Sequence, residues 1–394
     1  MTRFLTATAM AALIAGSAQA EDIKLGIIFG FTGPLESITP AMAAGAEMAM
    51  TEVTESGALL DNSTVTAVRA DSTCVDATAA AAAAERLVTS DKVKAIVGAD
   101  CSGVSSAILQ NVARPNGIVM ISPSSTSPGL SHTEDDGLFF RTAPSDARQG
   151  EIMADIISER GIKSAAVTYT NSDYGNGLAN SFATAFEAKG GEVTIQSSHD
   201  DGKADYSAEI AALASAGGEI LVVAGYVDQG GRGIVQGALD TGAFDTFYFP
   251  DGMYGDSLLE TFGDDLDGSF GDVPSADGDN ATAFQTLASD AGLDGTAVYA
   301  GESYDAAALI LLAMQAAKSS DPQAFKSHVF DVANAPGEKI NPGELGKALK
   351  LLADGVDIDY VGATNVEFVE PGESRGTFRE YDIEDGEAKT VGFR

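Results

Sequence analysis

Short apolar runs recur along this 394-residue chain, separated by longer stretches in which apolar positions return every three or four residues. The runs at 23–31, 64–71, 95–97 and 119–121 have the length and β-branched content of buried strands. The stretches 39–55, 75–90 and 102–114 between them carry the period of helices. Strands separated by helices are joined by crossovers, which predicts a parallel sheet covered on both faces. A second run of the same kind follows residues 139–144, with strands at 165–170, 192–197, 220–225 and 246–250 and helices at 146–160, 175–189, 206–216 and 231–241. Past 268–274 the pattern turns helical, at 281–291, 304–317, 322–333 and 344–353, and closes with strands near 365–369 and 377–383. The chain therefore predicts two α/β lobes, and with no low-complexity linker between them several chain crossings are expected.

The most informative stretch is 98–128, where two strands each end in small hydroxyl residues, Ser102 on one side and Ser122 to Ser127 on the other. In an open parallel sheet that carboxyl edge is where ligands bind, and the free amides of a helix starting at Ser102 attract an anion. The competing reading of each motif alone is a helix cap and a polar turn. In the second lobe Tyr226 and Asp251 end successive strands and offer a donor and a carboxylate at one edge, although Asp251-Gly252 is also a strong turn signal. Tyr174-Gly175-Asn176-Gly177 superficially resembles a dinucleotide fingerprint, but Asn180 stands where the third glycine belongs, so a loop leading into a helix, with Tyr174 facing the sheet edge, is the better account. The acidic segment 263–279 lacks the ligand spacing of a calcium loop. No HExxH, GxSxG or Gly-Lys-Ser/Thr phosphate loop occurs. The surviving groups suit holding a small zwitterion and supply no path for transforming it, so neither a catalytic residue, a cofactor nor a metal is expected. A nicotinamide-dependent α/β enzyme is the weakest of the competing classes.

Composition adds an address. Arg3, an apolar run at 4–14 and Ala18-Gln19-Ala20 have the order of a secretory signal over 1–20, and the run is too short to span a membrane. No cysteine stands directly after the cut, so no lipid anchor is expected. A net charge of −35 argues against nucleic acid or an anionic membrane as partner. Cys74 and Cys101 are the only two cysteines. Export to an oxidising compartment favours a disulfide, while a catalytic thiol would need one of the three histidines, none near a cysteine in sequence.

Taken together, Asp100-Cys101-Ser102, Ile121-Ser122-Pro123-Ser124-Ser125-Thr126-Ser127-Pro128, Phe140-Arg141-Thr142 through Asp146 with Gln149-Gly150, Tyr174 to Ala179, Gly225-Tyr226 and Pro250-Asp251-Gly252 resemble the periplasmic leucine/isoleucine/valine-type binding proteins of ABC transporters. The likeness runs from Ile23 to about Phe393. It implies the type I periplasmic-binding fold, two doubly wound α/β lobes joined by a three-strand hinge. The first lobe would hold 21–143 plus 273–376, and the second 144–272 plus 377–394. It implies a Cys74–Cys101 disulfide and a ligand set of Ser102, Ser124, Ser125, Thr126, Asp146, Tyr174, Tyr226 and Asp251. In that set Ser102 and the Thr126 loop hold a carboxylate, the Ser124 carbonyl and Asp251 meet an ammonium, and Tyr226 reaches in from the second lobe. Asp251 stands where the family has glutamate, one methylene longer. The implied function is capture of a small neutral amino acid, branched-chain type favoured, by a monomeric periplasmic receptor that hands it to the membrane permease of an ABC importer. The alternatives are a same-fold receptor for another carboxylate or amide, and a sensory ligand-binding protein.

Overall fold

The computed structural model describes residues 20–394, so the signal predicted at 1–20 lies, apart from Ala20, outside the described residues. The first run comprises β1 (Asp22–Phe29), α1 (Thr39–Ser56), β2 (Thr64–Asp71), α2 (Ala77–Arg86), β3 (Ala95–Gly98), α3 (Ser102–Ile108), β4 (Val119–Ser122) and β5 (Phe139–Arg141). The second comprises α4 (Asp146–Glu159), β6 (Ser164–Thr170), α5 (Asp173–Ala188), β7 (Glu192–His199), α6 (Ser207–Ala216), β8 (Ile220–Ala224), α7 (Gly230–Thr241), β9 (Phe247–Phe249) and β10 (Phe270–Pro274). The remainder supplies α8 (Asp279–Asp290), α9 (Ala300–Ala317), β11 (Glu338–Ile340), α10 (Leu345–Ala353), β12 (Ile358–Tyr360), β13 (Phe368–Val369), β14 (Glu373–Ser374), β15 (Phe378–Glu384) and β16 (Glu387–Phe393).

These strands form two seven-stranded sheets, ordered β13-β14-β5-β4-β3-β1-β2 and β16-β15-β10-β9-β8-β6-β7, with β11 and β12 apart as a pair. The strands β1 to β5 of the first sheet and β6 to β10 of the second run parallel to one another, and β15 adds antiparallel to β10. In each sheet the order reverses next to the strand that starts the run, between β1 and β3 and between β6 and β8. Connections leave those adjacent strands toward opposite faces, which opens a crevice at their carboxyl ends.

Local chemistry fixes the helix starts. The Asp76 carboxylate accepts from the amides of Thr78 and Ala79, and Ser172 Oγ accepts from the amide of Gly175. Because Ser172 is the cap, α5 begins two residues earlier than the pattern predicts, and Gly-Asn-Gly lies inside its first turn rather than in a loop. The helix predicted at 322–333 is broken into Pro322–Phe325 and His328–Ala333. The last strand, β16, carries almost no buried residue and so gives no hydrophobic signal.

Helix α9 is buried from Ala300 to Gln315 and returns the chain to the first sheet's layer, against α1. The approach is close: a Cβ on Gly45 would stand 2.3 Å from the Ala300 carbonyl oxygen. This packing holds the start of α9, and Tyr299 just before it, at the boundary between the two sheets. Among the described residues no helix is long and apolar enough to cross a membrane.

Candidate functional site

Both reversal points open onto one enclosed cavity between the sheets. Its walls are Leu35, Ile38 and Met42 after β1, Asp100 to Ser102 after β3, Ser124 after β4, Tyr174 after β6, Tyr226 after β8, Asp251 and Gly252 after β9, and Tyr299. The residues predicted from sequence therefore divide. Ser102, Ser124, Tyr174, Tyr226 and Asp251 meet at this cavity, whereas Ser125, Thr126 and Asp146 are fully buried and do not line it.

The hydroxyl loop is built by its own hydrogen bonds. Ser102 Oγ accepts from the Ser127 amide at 3.1 Å, and Ser124 Oγ donates to the Asp100 carbonyl at 2.9 Å, tying the two strand ends together. Ser125 turns its hydroxyl inward to Ser105 Oγ at 2.7 Å. Arg141, only 1% exposed, donates to the carbonyls of Ser125 and Ser127 at 3.1 and 2.9 Å and pairs with Glu373 at 2.7 Å. Drawing those carbonyls toward the guanidinium fixes the loop's course. The first amides of α3 have no intrahelical acceptor, so this wall presents donors next to Ser102. The disulfide between Cys74 and Cys101, with Cα atoms 5.2 Å apart, anchors the same strand end.

On the opposite wall Asp251 is 2% exposed and accepts from the hydroxyls of Tyr174, at 3.1 Å, and Tyr299. The Tyr174 oxygen accepts in turn from the Gly252 amide at 3.2 Å. The Tyr174 and Tyr226 rings stack at 5.3 Å. Gly252 is required by proximity, since a Cβ there would sit 2.8 Å from the Tyr174 hydroxyl and 2.5 Å from the Gly225 carbonyl. Burial raises the Asp251 pKa above the ordinary carboxylate value, opposed by the hydrogen bonds from Tyr299 and Tyr174. Burial, and next the charge of Asp251, push Asp146 well up. The cleft is thus rich in buried carboxylate and short of cations: Arg141, the charged partner nearest Asp146, is already committed to Glu373.

Sequence reasoning missed Tyr299, which the returning segment delivers from far along the chain, and it missed the apolar wall of Leu35, Ile38 and Met42. It also missed a latch across the mouth. The Asp228 carboxylate accepts from the Ser37 amide and from Ser257 Oγ, both at 2.9 Å, and the Asp228 amide donates to the Pro34 carbonyl at 3.0 Å. The bonds to Ser37 and Pro34 join the loop after β1 to the loop after β8, with Ser257 steadying the carboxylate from its own side, so the two layers stand closed on each other.

Comparison with known proteins agrees with this architecture. The periplasmic binding protein family model matches residues 22–334. The Leu/Ile/Val-binding protein homolog 3 of Brucella melitensis is 32% identical over 232 residues, 58% of this chain, and the match spans 61% of the relative's length. Homolog 1 from the same organism is 33% identical over 340 residues, covering 84% of this chain and 86% of the relative. Among solved structures, the branched-chain amino acid transporter substrate-binding protein LivJ of Streptococcus pneumoniae, in complex with isoleucine, has a TM-score of 0.75 at 22% identity and covers 95% of this chain and 99% of its own. LivJ shares the fold of two doubly wound α/β lobes, and the sequence relatives share most of the chain: the protein belongs to the periplasmic binding protein family, in the branch represented by the Leu/Ile/Val-binding proteins.

Proposed function

We propose that the protein is the receptor of an ABC importer, capturing a neutral aliphatic amino acid of the branched-chain type between two closing lobes in the periplasm. The observation that carries this reading is Asp251. It is a buried carboxylate oriented by two tyrosine hydroxyls, set across a small cavity from hydroxyl and amide donors and beside an aliphatic wall. A zwitterion offers one charge to each side. Its carboxylate would meet Ser102 and the α3 amides, backed by Ser125 and Thr126. Its ammonium would meet Asp251 and the Ser124 carbonyl, with Tyr174 and Tyr226 covering it and Asp146 reinforcing the negative field. The side chain would rest on Leu35, Ile38 and Met42. An ammonium taken out of water requires such a partner to offset its desolvation.

The lobes we assign are 21–143 plus 273–376 and 144–272 plus 377–394, acting as a monomer after removal of the signal at 1–20. The proposed contacts fall on both lobes, so ligand favours the closed form by its differential affinity, and the Asp228 latch forms only there. The closed form is what the permease would receive. A thermal-shift screen of ligand-stripped protein tests the function, with leucine, isoleucine and valine expected to stabilise it and dicarboxylates expected to do nothing, since a second charge would face Asp251 unpaired.

A second reading, a receptor for simple carboxylates or amides, is favoured by the raised pKa of Asp251. A protonated Asp251 would donate to an oxygen instead of accepting from an ammonium. Stabilisation by benzoate or 4-methylpentanoate but by no amino acid would establish it.

A further inference from the structure

Behind Tyr299, on the side away from the cleft, the hinge encloses a second pocket of about 320 Å³. It collects residues near where the chain passes between the two sheets: Pro274 and Ser275 at the end of β10, Arg379 at the start of β15, and Glu302 in the first turn of α9. Thr142, on the first crossing, donates to the Glu302 carbonyl at 2.8 Å. Two ionisable side chains here lack a partner of opposite charge among the described residues. Glu302 is 5% exposed, and no other residue donates to its carboxylate. Arg379 forms no ion pair, its buried Nε has no acceptor, and its guanidinium lies 4.9 Å from the Tyr254 ring centre.

A guanidinium with no anionic partner and a buried carboxyl with no cation, lining one small pocket without reaching each other, make a site for a molecule that carries both signs, its ammonium supplying the charge that lets Glu302 ionise. We propose that the hinge pocket is a second binding site, separate from the cleft, for a compact zwitterion whose carboxylate pairs with Arg379 and whose ammonium pairs with Glu302. Several facts support it. A carboxyl buried without a cation is costly to ionise, and burial holds Glu302 protonated up to a pKa of about 8, with Asp305 adding to the shift. The pocket volume lies at the lower end of the range for small-molecule sites. Glu302 belongs to the helix packed on the first sheet and Arg379 to a strand of the second, so a molecule bridging them would favour one setting of the hinge.

The test is a methyl-NMR titration of the intact protein with alanine, using Ile38 and Met42 to report the cleft and Val298 and Thr390 to report the hinge pocket. With two charged contacts and no closing of one lobe on another around it, the hinge site is expected to bind about a thousandfold more weakly than micromolar, in the millimolar range. Val298 and Thr390 should therefore move in a separate, saturable, later step. Glu302→Gln and Arg379→Gln should each weaken that step on the order of tenfold or more while leaving the cleft step in place, which also shows that the variants fold. Asp251→Asn should remove the cleft step and spare the hinge step. Silent hinge methyls at all alanine concentrations, or a hinge step indifferent to both hinge variants, would overturn the proposal. Failure of the cleft methyls alone would instead count against the amino-acid reading of the cleft.

Discussion

Replacing Asp251 by asparagine keeps the side chain's shape and removes its charge. Tyr174 and Tyr299 could still donate to the amide oxygen, so the wall should stand, but the amide nitrogen would turn a donor toward the ligand's ammonium. Asp251 is only 2% exposed, so solvent screens the lost charge little. Loss of one partner of a desolvated charge pair costs on the order of 2–5 kcal/mol, or about thirtyfold to several thousandfold in affinity. Protonation gives a second signature. Burial raises the Asp251 pKa in the free protein, and a bound ammonium favours the ionised form. Binding should therefore release a proton, and leucine affinity should climb with pH until Asp251 is ionised in the free state, then level off. Asparagine abolishes that contribution. Calorimetry with leucine and with 4-methylpentanoic acid, the same skeleton without the amine, should show strong preference for leucine in the wild type and a narrowed or reversed preference in Asp251→Asn. Unchanged leucine affinity in the variant would refute the ammonium contact.

Ser102→Ala should cost only about 1 kcal/mol of leucine affinity by the same calorimetry, because the α3 amides remain to meet the carboxylate. Asp228→Ala removes acceptors for Ser37 and Ser257 and should speed leucine release up to about tenfold in stopped-flow measurements, with little change in the entry rate. Reducing the Cys74–Cys101 disulfide, whose cysteines are 27 residues apart, should lower unfolding free energy by roughly 3–4 kcal/mol in denaturant titrations, and unfolded unreduced protein should show no reactive thiol. Glu302 has its pKa raised from 4.5 to about 8, so the folded state binds more protons than the unfolded state across that window and stability falls as pH rises through it. Glu302→Gln should therefore flatten the decline and be more stable than wild type at pH 8, by at least about 1 kcal/mol in urea midpoints.

The α/β alternation was legible because parallel strands buried on both faces appear as unbroken apolar runs, and β3, β4 and β8 are of that kind. The edge strand β16 was not, because its residues face solvent. Ser102 and Ser124 could be placed by their position at strand ends, which topology carries to the crevice. Ser125 has the same chemistry and the same address, yet one residue's rotation points it at Ser105 instead. Asp146 was implied by the family resemblance, and it is buried at the start of α4 without lining the cavity. Tyr299 could not be found from local pattern at all: it reaches Asp251 only because α9 packs against α1 with Gly45 allowing the approach. Asp228 reads as an ordinary loop acid until the two layers close and bring Ser37 to it.

The claim that matters most is that an amino acid closes the two lobes on itself. Small-angle X-ray scattering of ligand-stripped protein, titrated with leucine, tests it directly. The radius of gyration should fall and saturate at one leucine per chain, with 4-methylpentanoic acid producing far less compaction at equal concentration. An unchanged radius at saturating leucine, or equal compaction by the deaminated acid, would contradict the account.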